Sequence, residues 1–203
     1  MSDRPPDPLR FDVGQIVSRT VVSLYSSLVT RPTGRAVRIA IESQLAELAS
    51  SSAVSIIDLS RVSLLDFSCA DEVVAKLISR RAEANADSAS PTPFFVLHGL
   101  GESHRGPIEA VLERHRLAIV ARTAEGVVEL LGITSSGEAS AWGALQEQGV
   151  IAVPVPVATE DSLELHLGAL AARGLAYRDS GSGAFHALTS LAASESPPPD
   201  PTI

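Results

Sequence analysis

A chain of 203 residues has room for one domain of ordinary size and a small second one. It is 45% hydrophobic, 20% charged and 4% aromatic, which excludes a disordered or fibrous chain and leaves a core of Leu, Val, Ile and Ala. One cysteine excludes an internal disulfide, and the net charge of −8 falls entirely after residue 124: residues 1–124 carry 14 basic and 14 acidic side chains, residues 125–203 only Arg173 and Arg178 against 10 acidic ones.

That asymmetry argues against nucleic acid as the partner of the C-terminal part, because phosphate contacts need clustered cations. The start, MSDRPPDPLR, has no apolar h-region, and no run approaches the ~18 apolar residues of a membrane span. A cytoplasmic protein without a membrane partner is the expectation.

Residues 1–10, with three prolines, read as a disordered lead. Alternating Phe11, Val13 and Val17 predict an edge strand over 11–17, and Val21, Val22, Leu24 and Tyr25 predict a second over 20–28. Arg31-Pro32-Thr33-Gly34 punctuates the chain. A helix over 34–49 follows, its apolar stripe being Val37, Ile41, Leu45 and Leu48. Arg31, Arg35 and Arg38 crowd its start, where the helix dipole disfavours cations by a few tenths of a kcal/mol. They are read as anchors for nearby carboxylates such as Asp66, or as a site for an anionic ligand.

Val54, Ile56, Ile57 and Leu59 predict a buried strand over 53–59, and Val73, Val74, Leu77 and Ile78 place one apolar stripe on a helix over 69–82. Between them lies a polar loop ending in Asp66-Phe67-Ser68, with Ser68 expected as N-cap. Residues 82–93 read as an exposed loop and 94–98 as a buried strand. The Gly-rich 99–106 segment reads as a loop. His104 stands where G-x-G-x-x-G needs its third glycine, and the Lys-Ser/Thr of a P-loop is absent. Pro107 is expected to open a helix over 107–116, followed by a strand over 117–121.

Further on, 126–131 and 138–148 read as short helices. The 150–157 run, with Pro154 and Pro156, reads as an edge strand or extended segment. Leu163, Leu167, Leu170 and Ala171 mark a helix over 161–173 that Gly174 ends, and two strands flank the Gly-rich turn at 179–183. The tail, 194–203, holds four prolines in ten residues and reads as disordered.

Chemistry is sparse. His98, His104, His115, His166 and His186 show no metal-binding spacing, no G-x-S-x-G is present, and Cys69 has no neighbouring His or Cys. Cys69 reads as a small buried hydrophobe. No enzyme, metal or cofactor is expected.

The stretch DLSRVSLLDFSCADEVVAKL resembles the core of a STAS domain, the fold of bacterial anti-sigma-factor antagonists. Asp58-Leu59-Ser60, Val62 and Asp66-Phe67-Ser68 match that family's strand end and helix-opening turn, while Cys69 departs from its usual Gly. Ala70-Asp71-Glu72 is similar to a STAS-like subgroup of unknown function. The resemblance implies an α/β mixed sheet with flanking helices over 11–126. The order helix, glycine, strand, Gly-rich turn, strand at 161–190 is similar to the end of a winged-helix domain, here bounded as 127–193.

The STAS resemblance implies a non-enzymatic signalling or adaptor protein whose partner is another protein, kinase-like or regulatory. Asp58, Ser60, Asp66, Ser68, Asp71 and Glu72 would form the recognition surface, with Ser68 as phosphorylation candidate. Two rivals are a DNA-reading regulator using the C-terminal wing and a nucleotide sensor using Arg31, Arg35, Arg38 and the 99–106 loop.

Overall fold

The computed structural model describes residues 8–20, 27–47, 54–84, 93–152 and 162–192. Outside them lie residues 21–26 of the strand expected over 20–28, of which Thr20 is helical and only Ser27–Leu28 is strand, Leu48, residues 85–92 of the loop expected over 82–93, Pro154 and Pro156, residues 1–7 of the lead and the whole tail.

A five-stranded sheet organises the chain. Its strands are β1 (Pro8–Asp12), β3 (Val54–Asp58), β5 (Phe94–Leu100), β6 (Ala118–Thr123) and β7 (Val128–Gly132), in the spatial order β1-β3-β5-β6-β7. The first four are parallel and β7 is antiparallel. The order advances in one direction, so right-handed crossovers place their helices on one face. There lie α1 (Val13–Thr20), α2 (Arg31–Glu47), a helix over 67–84 and α5 (Glu102–His115). Val37, Ile41, Val73, Leu77, Ile108 and Leu112 pack onto Phe11, Ile57, Leu97 and Ala121 of the sheet. Two-residue strands β2 (Ser27–Leu28) and β4 (Leu64–Leu65) pair in parallel beside them.

That arrangement leaves the opposite face of the sheet bare and apolar. The C-terminal residues cover it. Val54, Phe94, Val96, Ala118 and Val120 share one core with Leu145 of α6 (Ser136–Gln148), Leu167 and Leu170 of α7 (Leu163–Ala172), Phe185, and Leu188 and Leu191 of α8 (Leu188–Ala192). A second sheet, β8 (Val150–Ile151), β10 (Phe185–Ala187) and β9 (Ala176–Arg178), is antiparallel in that spatial order. The boundary expected between 126 and 127 therefore falls inside the β6–β7 hairpin, and the residues after it share a core with the sheet.

Several local expectations are corrected. The strand expected over 11–17 starts at Pro8, inside the lead expected to be disordered over 1–10, because Pro8–Asp12 pairs with Val54–Asp58, and it ends at Asp12. The Asp12 carboxylate accepts from the Gln15 N–H at 2.9 Å, and this cap turns the chain into α1. The helix expected over 126–131 is strand β7, bracketed by Gly126 (φ 89°) and Gly132 (φ 95°). A Cβ on Gly132 would stand 2.3 Å from the Leu117 carbonyl, so the left-handed turn needs glycine.

Pro107 does not open its helix. Gly101 does, because the His104 Nδ1 accepts from the Gly101 N–H at 3.1 Å, so Pro107 lies inside α5. Ser68 is not the N-cap of its helix: Asp66 is, accepting from the Cys69 N–H at 2.8 Å. The 34–49 helix starts earlier, at Arg31, with the Thr30 hydroxyl 3.4 Å from the Thr33 N–H.

Other elements stand where expected. Strand β3 is buried throughout, and α7 closes with Gly174 at φ 76°. The N–H of Gly174 reaches the Ala171 carbonyl and that of Leu175 the Leu170 carbonyl, which satisfies two of the last carbonyls of the helix.

Candidate functional site

The 67–84 helix carries most of the predicted site residues. Helical backbone continues from α3 (Phe67–Ala70) through a π-helical turn at Asp71–Ala75 into α4 (Lys76–Ala84). Such turns rotate side chains out of regular helical register and recur at functional sites. Here the turn puts both Asp71 and Glu72, 7% and 2% exposed, inside the protein. A partner approaching from solvent meets neither, so these two members of the expected recognition surface have another role.

They are held by the arginines of α2. Arg31 donates through Nη1 to Asp71 Oδ2 at 2.9 Å and to Glu72 Oε1 at 3.0 Å. Arg38 donates through Nε to Glu72 Oε2 at 3.2 Å and through Nη1 to Glu42 Oε1 at 2.8 Å. Lys76 also pairs with Glu72, and His115 Nε2 lies 2.8 Å from Asp71 Oδ1. Burial pushes both carboxyl groups up, but the hydrogen bonds from Arg31 and His115 to Asp71, and from Lys76, Arg38 and Arg31 to Glu72, outweigh it and hold them below their ordinary values. The cations at the start of α2 thus anchor carboxylates, as expected, but the partners are Asp71 and Glu72 rather than Asp66. Arg35 is exposed and has no ion pair among the described residues.

Close helix packing makes this network possible. A Cβ on Gly34 would stand 2.9 Å from the Cys69 Cα and 3.2 Å from the Glu72 Cβ, so only glycine lets α2 and the 67–84 helix approach this far. Cys69 is fully buried, and its Sγ donates to the Thr30 carbonyl at 2.9 Å. Burial, with the Asp66 charge beside it, pushes its thiol up to about 11. It is a packed side chain rather than a nucleophile.

Ser68 is half-buried at the head of this helix, and its hydroxyl donates to Asp66 at 2.9 Å. Three exposed apolar side chains belong to neighbouring segments: Leu64, 47% exposed, on β4; Phe67, 38%, beside Ser68 in the helix; and Val29, 45%, just after the β2 that pairs with β4. The Arg114 guanidinium lies 5.9 Å from the centre of the Phe67 ring.

Asp58 and Ser60 lie elsewhere, at the carboxyl ends of the parallel strands. Asp58 accepts from the Ser60 N–H at 2.9 Å, from the Ser60 hydroxyl at 2.5 Å and from Arg10 Nη1 at 3.2 Å. Burial raises the Asp58 carboxyl, but the Ser60 donors and the His98 ring, whose Nδ1 is 3.4 Å away, leave it below its ordinary value. Strand register sets Asp12, Asp58, His98 and Arg122 side by side in one row across the sheet. Sequence reasoning missed His98 and Arg122 as site residues, because no local pattern links positions that only strand pairing brings together.

His104 is also structural. Its Nδ1 accepts from a backbone N–H, so the proton sits on Nε2, which donates to the Val62 carbonyl at 2.7 Å. This ring ties the start of α5 to the 60–66 loop. Among the described residues no three His, Cys, Asp or Glu side chains gather as a metal site, and no helix is long and apolar enough to cross a membrane. Comparisons with family models, curated proteins and solved structures give no significant match to this chain.

Proposed function

We propose that this chain is a non-enzymatic recognition protein of the STAS-like kind, and that a protein partner docks on the apolar rim formed by Val29, Leu64 and Phe67 around Ser68. One observation carries the reading: a half-buried serine at a helix start directly follows exposed Phe67, with exposed Leu64 on β4 and exposed Val29 just after β2, the strand paired with β4, preceding it. Phosphorylation of Ser68 would place about −1.5 to −2 charges in the middle of that rim, disrupting an apolar contact. The positive end of the helix dipole favours the added anion. Asp71 and Glu72, close in sequence, oppose it little, since Arg31, Arg38 and Lys76 neutralise them. Among the described residues, Asp66 is the carboxylate in contact with the Ser68 hydroxyl.

The order α6, β8, α7, β9, β10 supports a winged-helix-like reading of the C-terminal part. Its role in this proposal is to cover the bare face of the sheet. Both its arginines are engaged: Arg173 pairs with Glu138 at 2.7 Å, and Arg178 lies 5.2 Å from the centre of the Phe185 ring. Neither is available as part of a phosphate-binding stripe, which supports a protein partner over duplex DNA.

Phosphopeptide mass spectrometry of protein purified from its host, combined with affinity capture by wild type, Ser68→Ala and Ser68→Glu, tests the reading. Phosphate on Ser68, with one protein retained by wild type and Ser68→Ala and lost by Ser68→Glu, is expected. Equal retention by all three, with no phosphate on Ser68, would contradict it.

A further inference from the structure

We propose that the carboxyl edge of the main sheet, through residues other than those of the Ser68 rim, binds a small organic phosphate whose phosphate group sits between Arg10, His98 and Arg122. Three features converge there. The first is a small cavity of about 40 Å³ between the sheet and α8, with Ile56 and Val96 as floor, Thr189 as part of its roof, and Arg10, His98 and Arg122 on its walls. That space exceeds the ~10–15 Å³ that one water needs, so a group of a few non-hydrogen atoms fits.

The second feature is an open cleft of about 500 Å³ on the other side of the same residues. His98 and Arg122 line both spaces. The cleft runs from Ser60 past Gly99 and Gly101 to Thr123 and Gly126, and small residues alternate on its walls with His98, His104 and Arg122. Its size suits the body of a metabolite, and it lies where open α/β sheets receive ligands.

The third feature is charge. Of the two guanidinium groups on the cavity wall, Arg10 is paired with Asp58, which leaves the Arg122 charge in surplus before His98 is counted. Asp58 already accepts from Ser60 and Arg10. Arg122 has no hydrogen bond or ion pair among the described residues. Of the carboxylates nearby, Asp12 caps α1 and takes Arg61. Glu125 at the rim is held by its own backbone N–H and by Thr123, and Glu102 is exposed on the first turn of α5. A half-buried guanidinium with no partner among the described residues, beside an apolar floor, matches the fork geometry of a phosphate. The small cavity is lined by sheet residues and by Thr189 and Ala192 of α8, so a bound phosphate would bridge the two.

Calorimetric titration of the full chain with adenosine monophosphate, inorganic phosphate and adenosine tests this, on wild type, Arg122→Gln and Arg35→Gln. Arg122 makes no bond that its loss would break, and circular dichroism checks the fold of each variant. Wild type is expected to bind the monophosphate and inorganic phosphate, and to bind adenosine far more weakly. Arg122→Gln should weaken the monophosphate at least about tenfold, the loss of one charged hydrogen-bonding group. Arg35→Gln, in the separate cationic cleft of α2, should change nothing. Binding that survives Arg122→Gln, binding abolished by Arg35→Gln, adenosine as tight as its monophosphate, or no heat from any phosphate at millimolar concentration would each overturn the proposal.

Discussion

Replacing Glu72 by glutamine removes a charge from the interior while keeping the shape of the side chain. Its side chain is 3% exposed, and of its three partners only Arg38, at 12%, is buried with it. Arg31 and Lys76, at 50% and 44%, are screened by solvent and contribute little. Arg38 keeps Glu42 after the substitution, so the loss is smaller than for an orphaned buried charge. About 2–3 kcal/mol of stability should go at pH 7. For a chain of this size that lowers Tm by about 4–12 °C. Glu72 ionises more readily in the folded chain than in the unfolded one. Its contribution is therefore complete above the unfolded value of about 4.5 and is lost as pH falls through the lower folded value. Urea unfolding of wild type and Glu72→Gln should show a constant gap from pH 7 down to about pH 5, and a shrinking one below it. A gap under about 0.5 kcal/mol at pH 7, the scatter of surface substitutions, or one that widens in acid, would refute the reasoning.

Gly34→Ala should destabilise by about 1–3 kcal/mol in chemical denaturation, although alanine favours helix by about 1 kcal/mol, because the new methyl meets the Cys69 backbone. Cys69 should resist alkylation at pH 8 in native protein and react once the chain is unfolded in denaturant, since its thiol is buried and pushed up to about 11. Phe185→Ala should cost about 3–5 kcal/mol, and the fluorescence of the lone Trp142 should melt together with far-UV circular dichroism in wild type, because the C-terminal helices and the sheet share one core. Two separate transitions would contradict that shared core.

Much of the fold was legible where a segment carries its own pattern. The β-branched run before Asp58, the Val37–Ile41 spacing on α2 and Gly174 after α7 each specify an element locally. Segments whose state depends on distant neighbours were not. Val128 to Leu131 has helical spacing, yet two left-handed glycines and the free edge of β6 make it a strand. His104 takes the place of the usual Glu in a capping box, so the start of α5 at Glu102 carried no recognised signal. The candidate site divided in the same way. Asp66 and Ser68 stand together at a helix start, as their spacing implied. The burial of Asp71 and Glu72 came from a π-helical turn, and the row joining Asp58 to His98 and Arg122 came from strand register. Neither leaves a mark in a stretch of sequence.

The recognition proposal is tested most directly by a photo-crosslinking residue placed at Leu64 and, as control, at Ile39, which is 45% exposed on α2. Expressed in the host of this chain and irradiated, the Leu64 protein should form one discrete adduct with another protein, and that adduct should disappear when Ser68→Glu is added. The Ile39 protein should form none. Equal adducts at both positions, or an adduct at Leu64 that persists with Ser68→Glu, would contradict the account.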